Sequence, residues 1–349
     1  MELRTKISLP SINANHLFTM TDSTGILQHA KFSVPNYKEG YTTDDNSRAL
    51  IVALKLYEKT GDKSYLDLIY RYMAFIFNAF TEDGYFKNFM TYSRIFLDEK
   101  GSEDCFGRTL ISLSLVYNSN VLEKGIKDLA YDMLSRSIKN VPYINSYIST
   151  AYAIIALSLL YDTKEFGKLA KEYLEELSER LIKLYKENSD GTWRWFSNKL
   201  TYANAILPFS LLKAFEVTER ERYLNIAKDS LEFLTGILFE NGFLRVIGNR
   251  GWYEKGKNRS YFDEQPIDAC GCVLAYTTAF KIIGEKEYKE KALKSFGWFL
   301  GENIHGKSLY DEKTGGCRDS INEFGVNKNE GAESTICYLL ARIYIEECL

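Results

Sequence analysis

Apolar residues recur along this chain in blocks with helical spacing, and the blocks are of two kinds. In the first kind, a polar cluster of acids, amides and small residues leads into a segment that is apolar on nearly every face and ends in an aromatic residue, as in SYISTAYAIIALSLLY (146–161). A helix of that composition must be buried on most sides. In the second kind, one face is charged, as in KLAKEYLEELSERLIKLYKE (168–187), and that face meets water. Blocks of the first kind predict helices over 43–59, 102–117, 146–161, 200–215, 263–280 and 330–344. The second kind predicts helices over 63–80, 121–139, 164–187, 220–239 and 286–303, with a short helical candidate at 12–20. Turn signals such as Thr60-Gly61-Asp62 and Glu82-Asp83-Gly84 separate them. The Asp-Gly turn leads into YFKNFMTYSRIF (85–96), which predicts a short hairpin or an active-site loop.

Buried helices alternating with amphipathic ones at a period of roughly 45 to 65 residues describe hairpin repeats. Six such hairpins can close into an all-α ring, an (α/α)6 toroid, with one helix of each pair inside and the other outside. Short β-hairpins or aromatic loops would lie at one rim. No Pro/Ser-rich linker breaks the series, so residues 1–349 read as a single domain. Five prolines in the whole chain suit this fold, because proline breaks helix interiors.

Closure carries a consequence for chemistry. Successive inner helices run parallel, so their N-terminal residues meet at one mouth. The densest cluster is GYTTDDNSRAL (40–50), which places Asp44, Asp45, Asn46 and Arg48 at one helix start. The other starts add Glu103, Asp104, Arg108, Asn145, Tyr147, Tyr202, Asn204, Glu264, Gln265, Asp268, Glu330 and Glu333. Tyr85, Phe86, Trp193, Trp195, Trp252 and Tyr253, on the loops between repeats, would form the walls, with Trp193 and Trp195 as the expected stacking platform for a sugar ring. Acids at helix starts also serve as caps and dipole partners, and loop aromatics also cover the end of a core.

Net charge of −3 gives no basic footprint for nucleic acid. MELRTKISLPSIN lacks the apolar core of a signal peptide, and no run reaches the roughly 20 apolar residues of a membrane span, which points to a cytoplasmic protein. The six cysteines, Cys105, Cys270, Cys272, Cys317, Cys337 and Cys348, mostly sit in apolar helical patterns, where free thiols behave as small hydrophobes. Cys270 and Cys272 would diverge by roughly 200° on a helix, so no metal site and no cofactor is expected.

The chain resembles the six-hairpin, (α/α)6-toroid glycosidase superfamily over essentially its whole length. At finer grain, HAKFSVPNYKEGYTTDDNSRAL (29–50), GSEDCFGRTL (101–110), DEQPIDA (263–269) and NEGAEST (329–335) resemble a helical domain of bacterial glycosyltransferases, where it often follows a sugar-nucleotide transferase module. No GxGxxG follows a strand here, so the resemblance implies the toroid alone, with a glycosyltransferase as a possible partner. The superfamily implies an oligosaccharide or monosaccharide ligand and carboxylate-driven hydrolysis.

Inverting hydrolysis needs an acid and a base roughly 6.5 to 9.5 Å apart. Asp45, Asp104, Glu264 and Glu333 are the candidates, with Asp45 the first choice, and Arg48 and Arg108 would hold sugar hydroxyls or lower neighbouring pKa values. Sugar 2-epimerases share the toroid and resemble one another in using paired histidines. This chain has His16, His29 and His305, none at an inner-helix start, although His29 can reach the mouth. A terpene-cyclase-like reading also fits a helical toroid with Asp-Asp, but the surplus of acids and amides over a purely aromatic pocket disfavours it, and a non-catalytic carbohydrate-binding domain is a further class.

Overall fold

The computed structural model of the protein describes residues 9–349. The stretch read for a targeting signal begins in residues 1–8, outside the described residues. Six helices form an inner ring: α2 (Thr43–Thr60), α4 (Glu103–Asn118), α6 (Tyr147–Leu160), α8 (Ile206–Thr218), α10 (Pro266–Ile283) and α12 (Ala332–Ile345). Each packs on the next, and α12 packs on α2, so the ring closes. Outside lie α3 (Lys63–Ala79), α5 (Lys124–Ser137), α7 (Gly167–Asn188), α9 (Glu221–Leu238) and α11 (Lys286–Gly297). The six-residue α1 (Asn15–Met20), packed on α12, takes the sixth outer place.

Local chemistry explains the ring's starts. Thr42, Ser102 and Ser146 each accept a backbone N–H three residues on, and Pro266 opens α10 where its missing N–H costs nothing. Gly61 closes α2 in the left-handed conformation at φ 68°, a place where any side chain would strain. Inner helices are buried almost all round, α6 from Ile148 to Ser158 without a break. By length and composition α10 passes for a membrane span, yet its apolar surface is spent inside the toroid.

The boundaries shift in instructive ways. α8 starts at Ile206, not 200, because Leu200 pairs with Tyr253 in a two-stranded ribbon and Asn204 ties back to Thr201 through both its amide atoms. α5 and α7 each begin three residues later than the pattern suggests, and α11 ends at Gly297 and passes into a 3-10 turn (Trp298–Leu300). The aromatic stretch after α3 does not fold only on itself. Phe89–Met90 pairs with Tyr41–Thr42, which pins that loop to the start of α2.

Closure of the ring depends on close helix approach between α4 and α6. A Cβ at Gly107 would lie 2.7 Å from Tyr152 Cβ and 3.3 Å from the Ser149 carbonyl. Gly107→Ala should therefore destabilise the protein by roughly 1–3 kcal/mol through overpacking, despite alanine's better helix propensity. Thermal melts followed by circular dichroism check this, and an unchanged or raised midpoint would refute it.

Candidate active site

The first turn of α2 carries the centre of the site. Asp44, Asp45 and Arg48 all line a rim cavity of about 300 Å³, with Glu333 from α12, Gln265 from the start of α10, and His29, Asn88 and Asp319 from loops. Arg48 organises it. Its Nη2 donates to Asp45 Oδ1 at 2.8 Å and lies 3.1 Å from Glu333 Oε2, and its Nε lies 3.4 Å from Asp44 Oδ1. Thr42 caps the helix through Asp45 N–H and also donates its hydroxyl to Asp45 Oδ2 at 2.7 Å. Asn88 Oδ1 accepts the Asp44 N–H, so the loop pinned by the ribbon also fixes the helix start.

Adjacent carboxylates are thereby pushed apart in acidity. Burial raises the pKa of Asp45, and the nearby negative charges of Asp44 and Glu333 add to it, so that despite the Arg48 guanidinium it reaches about 6. Burial acts on Asp44 as well, but Arg108 and Arg48 outweigh it and hold this carboxyl below the ordinary range. Near neutrality Asp45 can carry a proton while Asp44 stays ionised. Exposure also differs: the Asp45 side chain is 6% exposed and that of Glu333 41%, so Glu333 is the carboxylate open to a ligand.

A second sector continues around the ring. Arg108 Nη1 donates to Asp44 Oδ2 at 2.5 Å and Nη2 to the Tyr152 hydroxyl at 2.9 Å, with Asp104 Oδ2 3.7 Å away. Asp104 in turn accepts from the Ser149 hydroxyl at 2.5 Å and the Tyr202 hydroxyl at 2.8 Å. Tyr202 faces Trp252, with ring centroids 6.1 Å apart. Tyr147 is partly buried at the start of α6.

Several expected ligand contacts go elsewhere. Glu264 has no exposure, and its carboxylate is clamped between Trp298 Nε1 at 2.9 Å and Arg245 Nε at 3.3 Å, away from the cavity. Glu103 caps α6 by accepting the N–H groups of Asn145 and Ser146. Glu330 accepts from Thr314 and lies beside buried His16, lining a separate surface pocket. Asn46 is wholly buried, accepting from Ile26 N–H and donating to the Thr42 carbonyl. Asp268 is buried beside Ala203 and Asn204, with its Oδ2 left without a hydrogen-bond partner. Trp193 and Trp195 are buried, packed edge-on against Phe233, Tyr253 and Phe196, with Trp193 Nε1 donating to the Ser197 carbonyl. The expected stacking platform is core, since both indoles are buried in an aromatic cluster and present no free face to a ligand.

Asp319, Gln28 and Asn88 enter the cavity without having been singled out. Asp319 accepts from Gly331 N–H and the Ser334 hydroxyl, both at 2.8 Å, and burial raises its pKa. Gln28 adjoins His29 in LQHAKF, and Asp319 sits in GGCRDSINEFG, where only its acidity in a Gly-rich loop marks it.

The same ring is found in solved structures. A sugar epimerase from a ruminal bacterium superposes with TM-score 0.74 at 14% identity, over 95% of this chain and 96% of that one. Cellobiose 2-epimerase from Bacillus thermoamylovorans gives 0.75 at 11%, over 95% of each chain. An inactive variant of the GH76 α-1,6-mannanase of Salegentibacter sp., in complex with α-1,6-mannotetrose, gives 0.62 at 12%, over 96% of each. The chain is an (α/α)6 toroid. At these identities the likeness speaks for the fold alone. No protein-family model and no curated protein matches the chain, so the resemblance to a glycosyltransferase-associated domain rests on the quoted stretches.

Asp268 supplies a pH test of this geometry. Its pKa is raised from 3.8 to about 8, chiefly by burial. A raised acid holds its proton longer in the native state, so its contribution is complete below the unfolded value and is lost as pH climbs through the native one. Stability should fall by roughly 1.4 kcal/mol per pH unit over that window for one extra native proton. Asp268→Asn removes the titrating group at nearly the same size and should flatten the profile. Urea midpoints across the window measure this, and parallel profiles for the two proteins would contradict it.

Proposed function

We propose that this protein is a glycoside hydrolase acting on an oligosaccharide at the rim cavity, with Asp45 as the general acid and Glu333 as its carboxylate partner. The observation that carries the reading is Arg48 Nη2, which binds both carboxylates at once while their surroundings make one protonatable near pH 6 and leave the other open to the cavity. Two oxygens bridged by one nitrogen stand within about 6 Å of each other. That is short of the roughly 6.5–9.5 Å expected for inversion and nearer the roughly 5–5.5 Å of a retaining pair. This spacing favours retention over inversion.

In this mechanism Asp45 protonates the glycosidic oxygen as Glu333 attacks the anomeric carbon. Asp45, now a carboxylate, then takes a proton from the water that releases the sugar. Asp44, locked between two guanidiniums, keeps Arg48 in place and its charge favours the protonated form of Asp45. The GH76 mannanase neighbour lends support, since its inactive variant carries alanine in place of two adjacent aspartates, and Asp44–Asp45 is an adjacent pair at the cavity. Manno-oligosaccharides are the first substrates to try, beside gluco-oligosaccharides. The resemblance adds a glycosyltransferase as the partner that would share this glycan.

A second reading, sugar 2-epimerisation, draws on His29, which lines the cavity, and on the epimerase neighbours. His16 and His305 are committed to the carbonyls of Glu330 and Asn322, so His29 is the one histidine placed for proton transfer. Product analysis separates the readings. Hydrolysis releases shorter glycans with retained anomeric configuration, whereas epimerisation converts a free reducing sugar with no bond cleaved. Binding without any turnover would mean a carbohydrate-binding domain.

Asp45→Asn and Glu333→Gln should each lower kcat by about 10²–10⁴-fold in protein that is still folded by circular dichroism, although each also removes a charge partner of Arg48. Because the acid must be protonated, kcat/KM should fall as pH rises past about 6, the value set for Asp45. Turnover surviving in both variants would remove this pair from the mechanism.

A further inference from the structure

Six helices packed side by side in a ring, with axes about 8–10 Å apart, cannot meet at the centre, and the axis of this toroid is not filled. Each inner helix turns a stripe inward at spacings of three and four residues. On α2 the stripe is Arg48, Ile51 and Lys55, and on α4 it is Arg108, Ile111 and Leu115. Together the stripes enclose a cavity of about 280 Å³ that opens at the end of the ring opposite the rim site. One apolar side chain from every inner helix builds the wall: Ile51, Ile111, Ile155, Phe209, Leu274 and Leu340.

The two ends of this bore differ in chemistry. Its floor is the back of the Arg48 and Arg108 guanidiniums, whose charged partners Asp44, Asp45 and Glu333 lie on the rim side. Those carboxylates outnumber the two guanidiniums, so the floor has no charge to offer another anion. Its mouth is set by Lys55, Lys213 and Lys281 with Glu216 and Glu347 between them. Glu216 pairs with Lys213 and Glu347 with Lys281, whereas the nearest acid to Lys55 is Glu58 at 4.0 Å. An ammonium has three donors, so each lysine keeps hydrogen-bonding capacity after its glutamate is served.

We infer that this bore is a second binding site, for a single-chain aliphatic amphiphile with an anionic head, the chain lying along the axis and the head among the three lysines. From Arg48 to Lys55 the stripe rises about 10 Å, a length suited to a medium alkyl chain. Burial of each methylene against the apolar wall favours binding. The site uses no rim carboxylate and stands whether or not the protein cleaves glycans.

Calorimetric titration of the full chain with decanoate, decanol and decyltrimethylammonium tests the assignment. Decanoate should bind saturably at one site per chain, and the cation at least tenfold more weakly. Ile111→Trp and Leu274→Trp, which fill the bore, should each abolish decanoate binding. The surface variant Lys55→Gln/Lys213→Gln/Lys281→Gln should weaken decanoate about tenfold and leave decanol unchanged, a readout that survives if a tryptophan variant fails to fold. Absence of saturable binding, or decanoate binding that persists in a folded tryptophan variant, overturns the site. Equal affinity for the cation and the carboxylate overturns the anionic head.

Discussion

Two guanidiniums placed near the axis of a ring of helices are the constraint on which the rest depends. Arg48 and Arg108 are both buried, and a buried charge must be paired and hydrogen-bonded or it is prohibitively costly. Their partners come from the neighbouring helix starts: Asp44 and Asp45 on α2, Asp104 on α4, Glu333 on α12. Ser149 and Tyr202 extend the belt through Asp104 to α6 and to the start of α8. The same ion pairs that join the inner helices at one rim therefore also assemble the cavity.

That belt explains why carboxylates of similar sequence context behave differently. Asp44 meets two cations and is held ionised, whereas Asp45, one residue on and rotated about 100° around the helix, has the less exposed side chain and meets one cation against two like charges. Glu264 shows the same physics in a structural role. Burial drives its pKa up to about 7, while Trp298 and Arg245 satisfy its oxygens in a place no ligand reaches. A shifted acid marks a desolvated group. Exposure to a cavity is what separates the rim residues from the clamp.

Repetition made the fold legible. The contrast between SYISTAYAIIALSLLY and KLAKEYLEELSERLIKLYKE states which helices lie inside, and alternation of the two classes states that they pair. Part of the cavity followed from this alone, since Asp44, Asp45, Arg48, Gln265 and Glu333 stand at inner-helix starts and do converge. Asp319 and Asn88 escaped notice because loop residues have no period, and the ribbon that carries Asn88 to α2 is a pairing between Tyr41–Thr42 and Phe89–Met90, distant in sequence.

The number, order and burial of the helices can be read from the chain, because hydrophobic period and capping chemistry are local properties of it. Which polar group at each helix start faces the cavity depends on packing between repeats. Glu103 and Asp104 are neighbours in sequence, yet one caps α6 and the other sits beside Arg108. Trp193 and Trp195 look like a sugar platform in the chain and are core in the molecule. The physical reason is the same in each case: a helix start or loop fixes where a side chain begins, and the packing of the neighbouring repeat fixes what it touches.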